Sequence, residues 1–198
     1  MNYTEITNAI KEYTDNTETT FVNNIPNFVR QAEERIYRSI LIPELRKNVT
    51  TSLTTSNRFL AKPTDFLAVF SIAVVDGSSN YSFLLPKDVN FIREAYPATG
   101  TTGLPLYYSQ FDGDNFLLAP TPDSTYTVQL HYYYDPQSIV ASSTSWLGDN
   151  AESTLLYGSL LEAYTFMKGE ADIITFYKTR YDEALEGLRQ LADGRNKR

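Results

Sequence analysis

The chain has 198 residues, 42% of them hydrophobic, and a formal net charge of −7. That length and apolar content fit one large domain or two small ones with a real core, and exclude global disorder. The acidic balance argues against a protein that wraps nucleic acid, because phosphate contacts need a basic footprint. There is no cysteine, and His131 is the sole histidine. Thiolate metal sites, thiol nucleophiles and disulfides are therefore excluded, and a histidine-based zinc site or a conventional triad is hard to build. No apolar run approaches the ~20 residues that a membrane-spanning helix needs. Met1 to Tyr13 is polar and carries acids, unlike a secretory leader. A chain made in the cytoplasm, away from membrane, is expected, and the sequons at Asn2, Asn48 and Asn80 then carry no meaning. Fifteen Tyr and eleven Phe favour contact surfaces over a reaction pocket.

In chain order, residues 3–13 predict a short helix with Ile6, Ala9, Ile10 and Tyr13 on one side. Asp15 to Thr20 is polar and turn-like. A second helix follows, with Ile25, Phe28, Val29, Ala32, Ile36 and Ile40 at helical steps, Pro26 in its first turn and Pro43 at its end. Glu33, Glu34, Arg35 and Arg38 lie mostly off that stripe, which reads as a solvated or intersubunit face. From Val49 the texture becomes β-branched. Phe66 to Val75 runs into the hairpin signal Asp76-Gly77, and Tyr81, Phe83 and Leu85 alternate. Lys87 to Ala95 fits a short helix. Leu106 to Phe111 and Phe116 to Leu118 flank Asp112-Gly113, the clearest hairpin. Tyr126, Val128, Leu130 and Tyr132 alternate with Thr127, Gln129, His131 and Tyr133 along one strand.

Ser138 to Ser145 is a small-residue linker into Trp146, the sole tryptophan. Asn150 to Ala192 then predicts a helical hairpin. Leu156, Leu160, Ala163, Tyr164 and Met167 form one stripe. Ile173, Ile174, Tyr177, Tyr181, Ala184, Leu185, Leu188 and Leu191 form the other. Asp149 with Glu152 reads as a capping box, and Gly169 as the left-handed residue between the helices. Amphipathic helices at both chain ends bury each other most simply in one bundle. The fold class expected is α+β: a helical bundle of residues 1–46 plus 140–198, with an inserted antiparallel β domain at 47–139.

Candidate chemistry is sparse. His131 has no Ser, Asp or second His arranged around it and reads as a strand residue on the face opposite Leu130. Asp112, Asp114 and Asn115 begin like a calcium loop, but Asp123 stands where the loop needs Glu, and a hairpin turn accounts for them. No spacing singles out a carboxylate pair for hydrolysis. No catalytic residue, cofactor or metal site is therefore expected. Trp146 plugs the bundle or anchors an interface. The basic end, Gly194-Arg195-Asn196-Lys197-Arg198, is either a frayed polar tail or an arm that orders on a partner.

Several segments carry a resemblance. They are Ile25-Pro26-Asn27-Phe28-Val29 through Ala32-Glu33-Glu34-Arg35-Ile36 to Pro43-Glu44-Leu45-Arg46, then Lys62-Pro63-Thr64-Asp65-Phe66-Leu67. Phe116-Leu117-Leu118-Ala119-Pro120-Thr121-Pro122 and Leu155-Leu156-Tyr157-Gly158-Ser159-Leu160-Leu161-Glu162-Ala163 complete the set. In order and spacing they resemble the head-to-tail adaptor (connector) proteins of short-tailed bacteriophages, the tail-tubular-protein-A-like group. The resemblance implies a non-enzymatic homo-oligomeric ring of twelve copies in the virion neck. Its partners would be the portal protein and the tail nozzle or tubular protein, with DNA passing through the lumen without sequence-specific binding. On this reading Trp146, Arg195, Lys197 and Arg198 are expected at the portal, and Glu33, Glu34, Arg35 and Arg38 between subunits. The chain is short beside the larger members of that group, so tail-facing loops are expected to be reduced. The alternative is a glycan- or peptide-binding β module on a helical oligomerisation element, with Tyr107, Tyr108, Tyr132, Tyr133 and Tyr134 as its platform.

Overall fold

The computed structural model of the chain describes residues 1–196. In chain order the elements are α1 (Tyr3–Thr14), α2 (Thr19–Ser39), a 3-10 turn (Pro43–Leu45), β1 (Arg46–Ser52), β2 (Phe59–Ala61), β3 (Phe66–Val75), β4 (Tyr81–Phe83) and β5 (Leu85–Pro86). Then come α3 (Val89–Ala95), β6 (Thr102–Gly103), β7 (Tyr107–Gln110), β8 (Asn115–Ala119), β9 (Thr121–Pro122) and β10 (Thr127–Tyr134). The chain ends in α4 (Ile139–Ser142), α5 (Trp146–Asn150), α6 (Glu152–Phe166) and α7 (Ala171–Asn196). The class is α+β. Two compact units result: Met1–Pro43 with the chain from Pro136 onward, and Glu44–Asp135.

In the helical unit α6 is the hub, packed against α1, α2, α5 and α7. The sequence pattern predicts one stripe on this helix, but Thr154, Leu155, Leu156, Gly158, Ser159, Leu160 and Ala163 are all buried and cover most of its circumference. A helix apolar all round is one surrounded by neighbours. Its two buried hydroxyls are satisfied locally: Ser159 donates to the Leu155 carbonyl at 2.8 Å, and Thr154 to the Ala184 carbonyl of α7 at 3.3 Å. At Gly158 the neighbouring helices come close. A Cβ added there would lie 3.1 Å from Ala32 Cβ of α2 and 3.1 Å from Tyr181 Cε2 of α7. A residue without a side chain is what lets three helices meet at one level.

Helix α2 buries Ile25, Phe28, Val29, Ala32 and Ile36, as its periodicity predicts. Its start differs. The helix begins at Thr19, six residues ahead of Ile25, so Pro26 sits inside it rather than in its first turn. The ring forfeits one backbone hydrogen bond there. Burial of Phe21 offsets that loss: it packs on Phe28 at 5.7 Å and on Phe166 of α6 at 6.5 Å. The joints of the C-terminal helices also differ from expectation. Ser145, not Asp149, caps the turn that opens this region, accepting from Gly148 N–H. Asp149 falls inside α5, and α6 has no side-chain cap. Between α6 and α7 the left-handed residue is Lys168, at φ 55°, and not Gly169. Lys168 N–H donates to the Thr165 carbonyl and Gly169 N–H to the Tyr164 carbonyl, the paired bonds of a Schellman close. Gly169 is useful for a different reason: a Cβ there would press within 3.0 Å of the Tyr164 ring. That ring stacks on Tyr177 of α7 at 4.9 Å.

The second unit is a sandwich of two four-stranded sheets, ordered β1-β10-β3-β4 and β2-β8-β7-β5, with a small β6-β9 pair. Pairing is antiparallel except at the two-residue contacts β5–β7 and β6–β9, which are parallel. Alternation sorts the side chains. Ile72, Val74, Val128, Leu130 and Tyr132 of one sheet meet Leu60, Phe116 and Leu118 of the other. On β8 the intervening Leu117 and Ala119 face the opposite way and are covered with Ile92 of α3. This is why β8 reads as continuously apolar. On β4 and β5 the expected alternation is present but turned outward. Leu84 is buried, while Tyr81, Phe83 and Leu85 are 57%, 64% and 57% exposed.

The contact at Gly158 generates a prediction. Gly158→Val places two methyls against Ala32 and Tyr181, and thermal unfolding should report a loss of about 1–3 kcal/mol from overpacking. A melting temperature equal to that of the unsubstituted chain would show that the three helices are not held at this distance.

Candidate functional site

The residues expected to mediate contacts fall into three different environments. Glu34, Arg35 and Arg38 lie together on the flank of α2 and line, with Gln31, Ser39 and Glu162 of α6, a shallow depression of about 430 Å3. It runs on into a second hollow of about 400 Å3 that shares Gln31, Glu34 and Glu162 and ends at Phe28 and Phe166. The two form one groove along the α2–α6 seam. Arg35 pairs across the seam with Glu162, and its guanidinium lies 5.9 Å from the centre of the Tyr181 ring. Arg38 pairs with Glu34 one turn back along α2. Phe166, 45% exposed, closes the groove and packs on Phe28 at 5.2 Å. Sequence pattern alone does not mark Glu162 or Phe166 as contact residues. The ion pair joins residues 127 positions apart, and no local pattern announces such a partner.

Chemically the groove offers guanidinium, carboxylate, amide and an aromatic edge. Glu162, which lines both hollows, has a side chain only 14% exposed and is already paired with Arg35. Among the described residues no group of three His, Asp or Glu side chains is placed to hold a metal ion. Such a surface can recognise a complementary surface through fork-like Arg pairing and aromatic contact.

Glu33 corrects the expectation of a surface charge. It is 3% exposed, with its carboxylate turned into the helical unit. One oxygen accepts from the Ser138 hydroxyl at 2.5 Å, the other from Ile139 N–H at 2.9 Å, at the start of α4. Desolvation by burial raises its pKa, against the opposing effects of those bonds and of Arg30. Helical position alone places Glu33 beside Glu34, one step round the cylinder, and that step separates core from solvent. Its role is to fasten the segment returning from the β unit onto α2, so it offers no surface to a neighbouring subunit.

Trp146 is half-buried at the first turn of α5. Arg195 belongs to the last turn of α7, while Lys197 and Arg198 lie outside the described residues. His131 is exposed on β10, facing away from Leu130, with Phe70 at 6.3 Å. Asp112 forms the expected turn, its carboxylate accepting from Asp114 and Asn115 N–H. The alternative tyrosine platform is not presented as one. Tyr132 and Tyr133 are only 4% and 6% exposed, on opposite faces of β10: Tyr132 packs in the sandwich core, and Tyr133 lies beside Phe70 and Arg46. Tyr132 donates instead to Asp65, which also pairs with Lys47, and its pKa is pushed up to about 12 by burial and then by that bond.

Glu33 gives a pH-dependent prediction. With its folded pKa above the unfolded value of 4.5, the folded chain holds more protons than the unfolded chain between the two values. Its contribution to stability is therefore fully present below 4.5 and is lost as pH rises through the folded pKa. Urea unfolding of the chain and of Glu33→Gln across that window should differ by an amount that changes with pH. The variant should also be weaker at neutral pH by about 1–3 kcal/mol, because an amide donor then faces the donors of Ser138 and Ile139. A constant difference across the window would refute the buried-carboxylate account.

No described helix is long and apolar enough to cross a membrane. No curated protein matches the chain. The SU10 adaptor protein family does, over residues 1–198. The match covers the whole length, and the chain belongs to the SU10 adaptor protein family, a family of phage adaptor proteins.

Proposed function

We propose that the protein is a head-to-tail adaptor of the tail-tubular-protein-A-like kind: a homo-oligomeric ring, of twelve copies by that likeness, that joins the capsid portal to the tail. The observation that carries this reading is the family match across the whole chain. In this reading the protein is a virion component assembled in the host cytoplasm and has no catalytic role. Its helical unit and C-terminal end face the portal, and its β unit faces the tail nozzle or tubular protein. Glu34, Arg35 and Arg38, gathered on the α2–α6 groove, supply one lateral contact between copies, with Trp146 and the basic C-terminal residues toward the portal. DNA passes through the lumen. A subunit of net charge −7 gives a channel that repels phosphate and lets the duplex slide, with no sequence reading.

Two outcomes are expected. Deleting residues 194–198 should abolish stable attachment to portal particles of the same phage while leaving the circular dichroism and melting temperature unchanged. Attachment at full strength would remove these residues from the portal contact. Native mass spectrometry of the purified chain at micromolar concentration should show a monomer, because the closed ring needs the portal as its template. A pre-formed ring in that spectrum would contradict the templating step.

A further inference from the structure

The β1-β10-β3-β4 sheet ends in two unpaired edges of different character. At the β4 edge, Leu84 N–H donates to the Ile72 carbonyl and Asp76 N–H to the Asn80 carbonyl. Those bonds fix the phase of the ladder: Ser82 and its even-numbered neighbours turn their peptide groups toward β3, so Tyr81 and Phe83 turn theirs outward. Both also expose their side chains, at 57% and 64%. At the β1 edge, Leu53 N–H donates to the Tyr126 carbonyl. With the register Thr51↔Val128 and Val49↔Leu130, it is Asn48, Thr50 and Ser52 that turn their peptide groups away from β10. A bare edge beside exposed aromatics is a template for another strand.

We propose that β4 of one copy adds to β1 of a second copy of this chain, so that the sheet runs on from subunit to subunit. Direction supports the second copy as occupant. The strands alternate antiparallel from β1 through β10 and β3 to β4, three steps, so β4 runs opposite to β1. A copy displaced sideways with little rotation therefore presents its β1 antiparallel to β4, the stronger pairing. In that pairing Tyr81 and Phe83 lie on the same face as Asn48 and Thr50, because all four side chains point away from the core. Charge agrees as well. Residues 46–63 carry Arg46, Lys47, Arg58 and Lys62 and no acid, while residues 76–84 carry Asp76 and no base. Antiparallel docking brings Asp76, ahead of β4, to the end of β1 beyond which Arg58 lies.

Joining one edge to a different edge is head-to-tail, and such contacts repeat until they close as a ring or extend as a filament. The inference thus deepens the ring reading by naming a second lateral contact, and it rests on that reading only for closure. The absence of cysteine makes the test direct. Phe83→Cys and Thr50→Cys, both exposed, are purified as full chains, mixed at roughly 1 mM, the weak limit of specific association, and oxidised. A disulfide between positions 50 and 83 of different molecules is expected, since facing residues on paired strands fall within disulfide reach. The double variant should give a ladder of linked chains. The charge-bearing Phe83→Glu, with Tyr81→Cys as reporter, should lower cross-linking to Ser52→Cys, the residue that faces position 81 in this register, at least tenfold. Links only between like positions, or no link at that concentration, would overturn the proposal. A ring on portal particles without the link sinks the edge pairing alone. A link that builds open filaments, with no ring on portal particles, sinks the ring reading alone.

Discussion

The helical unit depends on one distance. At Gly158 the chain has no side chain, and there α2, α6 and α7 come together, with Ala32 and Tyr181 in the space that a Cβ would fill. Around that point α6 is enclosed on nearly every side, and helices from the two ends of the sequence share one core. The hydrophobic gain of that burial is what makes the unit fold as a body, because none of these helices alone has both a buried face and a covering partner. The Arg35–Glu162 pair lies over the same seam, about one turn along from Gly158. Being partly exposed, it contributes little to stability and more to the character of the surface.

Burial also decides which charges remain available to a partner. Glu33 and Glu34 are adjacent, yet one is bonded to Ser138 and Ile139 inside the unit, and the other lines the groove. The same sorting operates in the sandwich. Asp65 is held below the usual carboxylate range by Lys47 and by the Tyr132 hydroxyl, which fixes a charged group at the start of β3. What is left at the surface is a mixture of Arg, carboxylate and exposed aromatics on rigid elements. That mixture suits repeated contact with flat protein surfaces, and its scatter over both units suits a molecule with more than one neighbour.

Much of this was readable from residues. The α2 stripe, the α6–α7 hairpin, the Asp76 and Asp112 turns and the helix at Val89–Ala95 follow from local periodicity and turn chemistry. The departures share a cause: each is decided by a distant residue. Helix α2 starts early because Phe21 finds Phe28 and Phe166. A single stripe was expected on α6, but neighbours from both chain ends cover it all round. On β4 the alternation gives the period but not the face: Leu84 reaches the core, and Tyr81 and Phe83 stay exposed. Period two says that faces differ; only the partner sheet says which is inside. The groove was half legible. Glu34, Arg35 and Arg38 stand out on α2, but Glu162 could be joined to them only by the fold.

An adaptor is defined by where it sits. Cryo-electron microscopy of the virion neck, with the density at this position fitted by the two units of the chain, tests the central claim most directly. The account predicts a single ring of this chain directly beneath the portal, with each copy's helical unit on the portal side. A neck in which the portal meets the tail with no copy of this chain between them would contradict it.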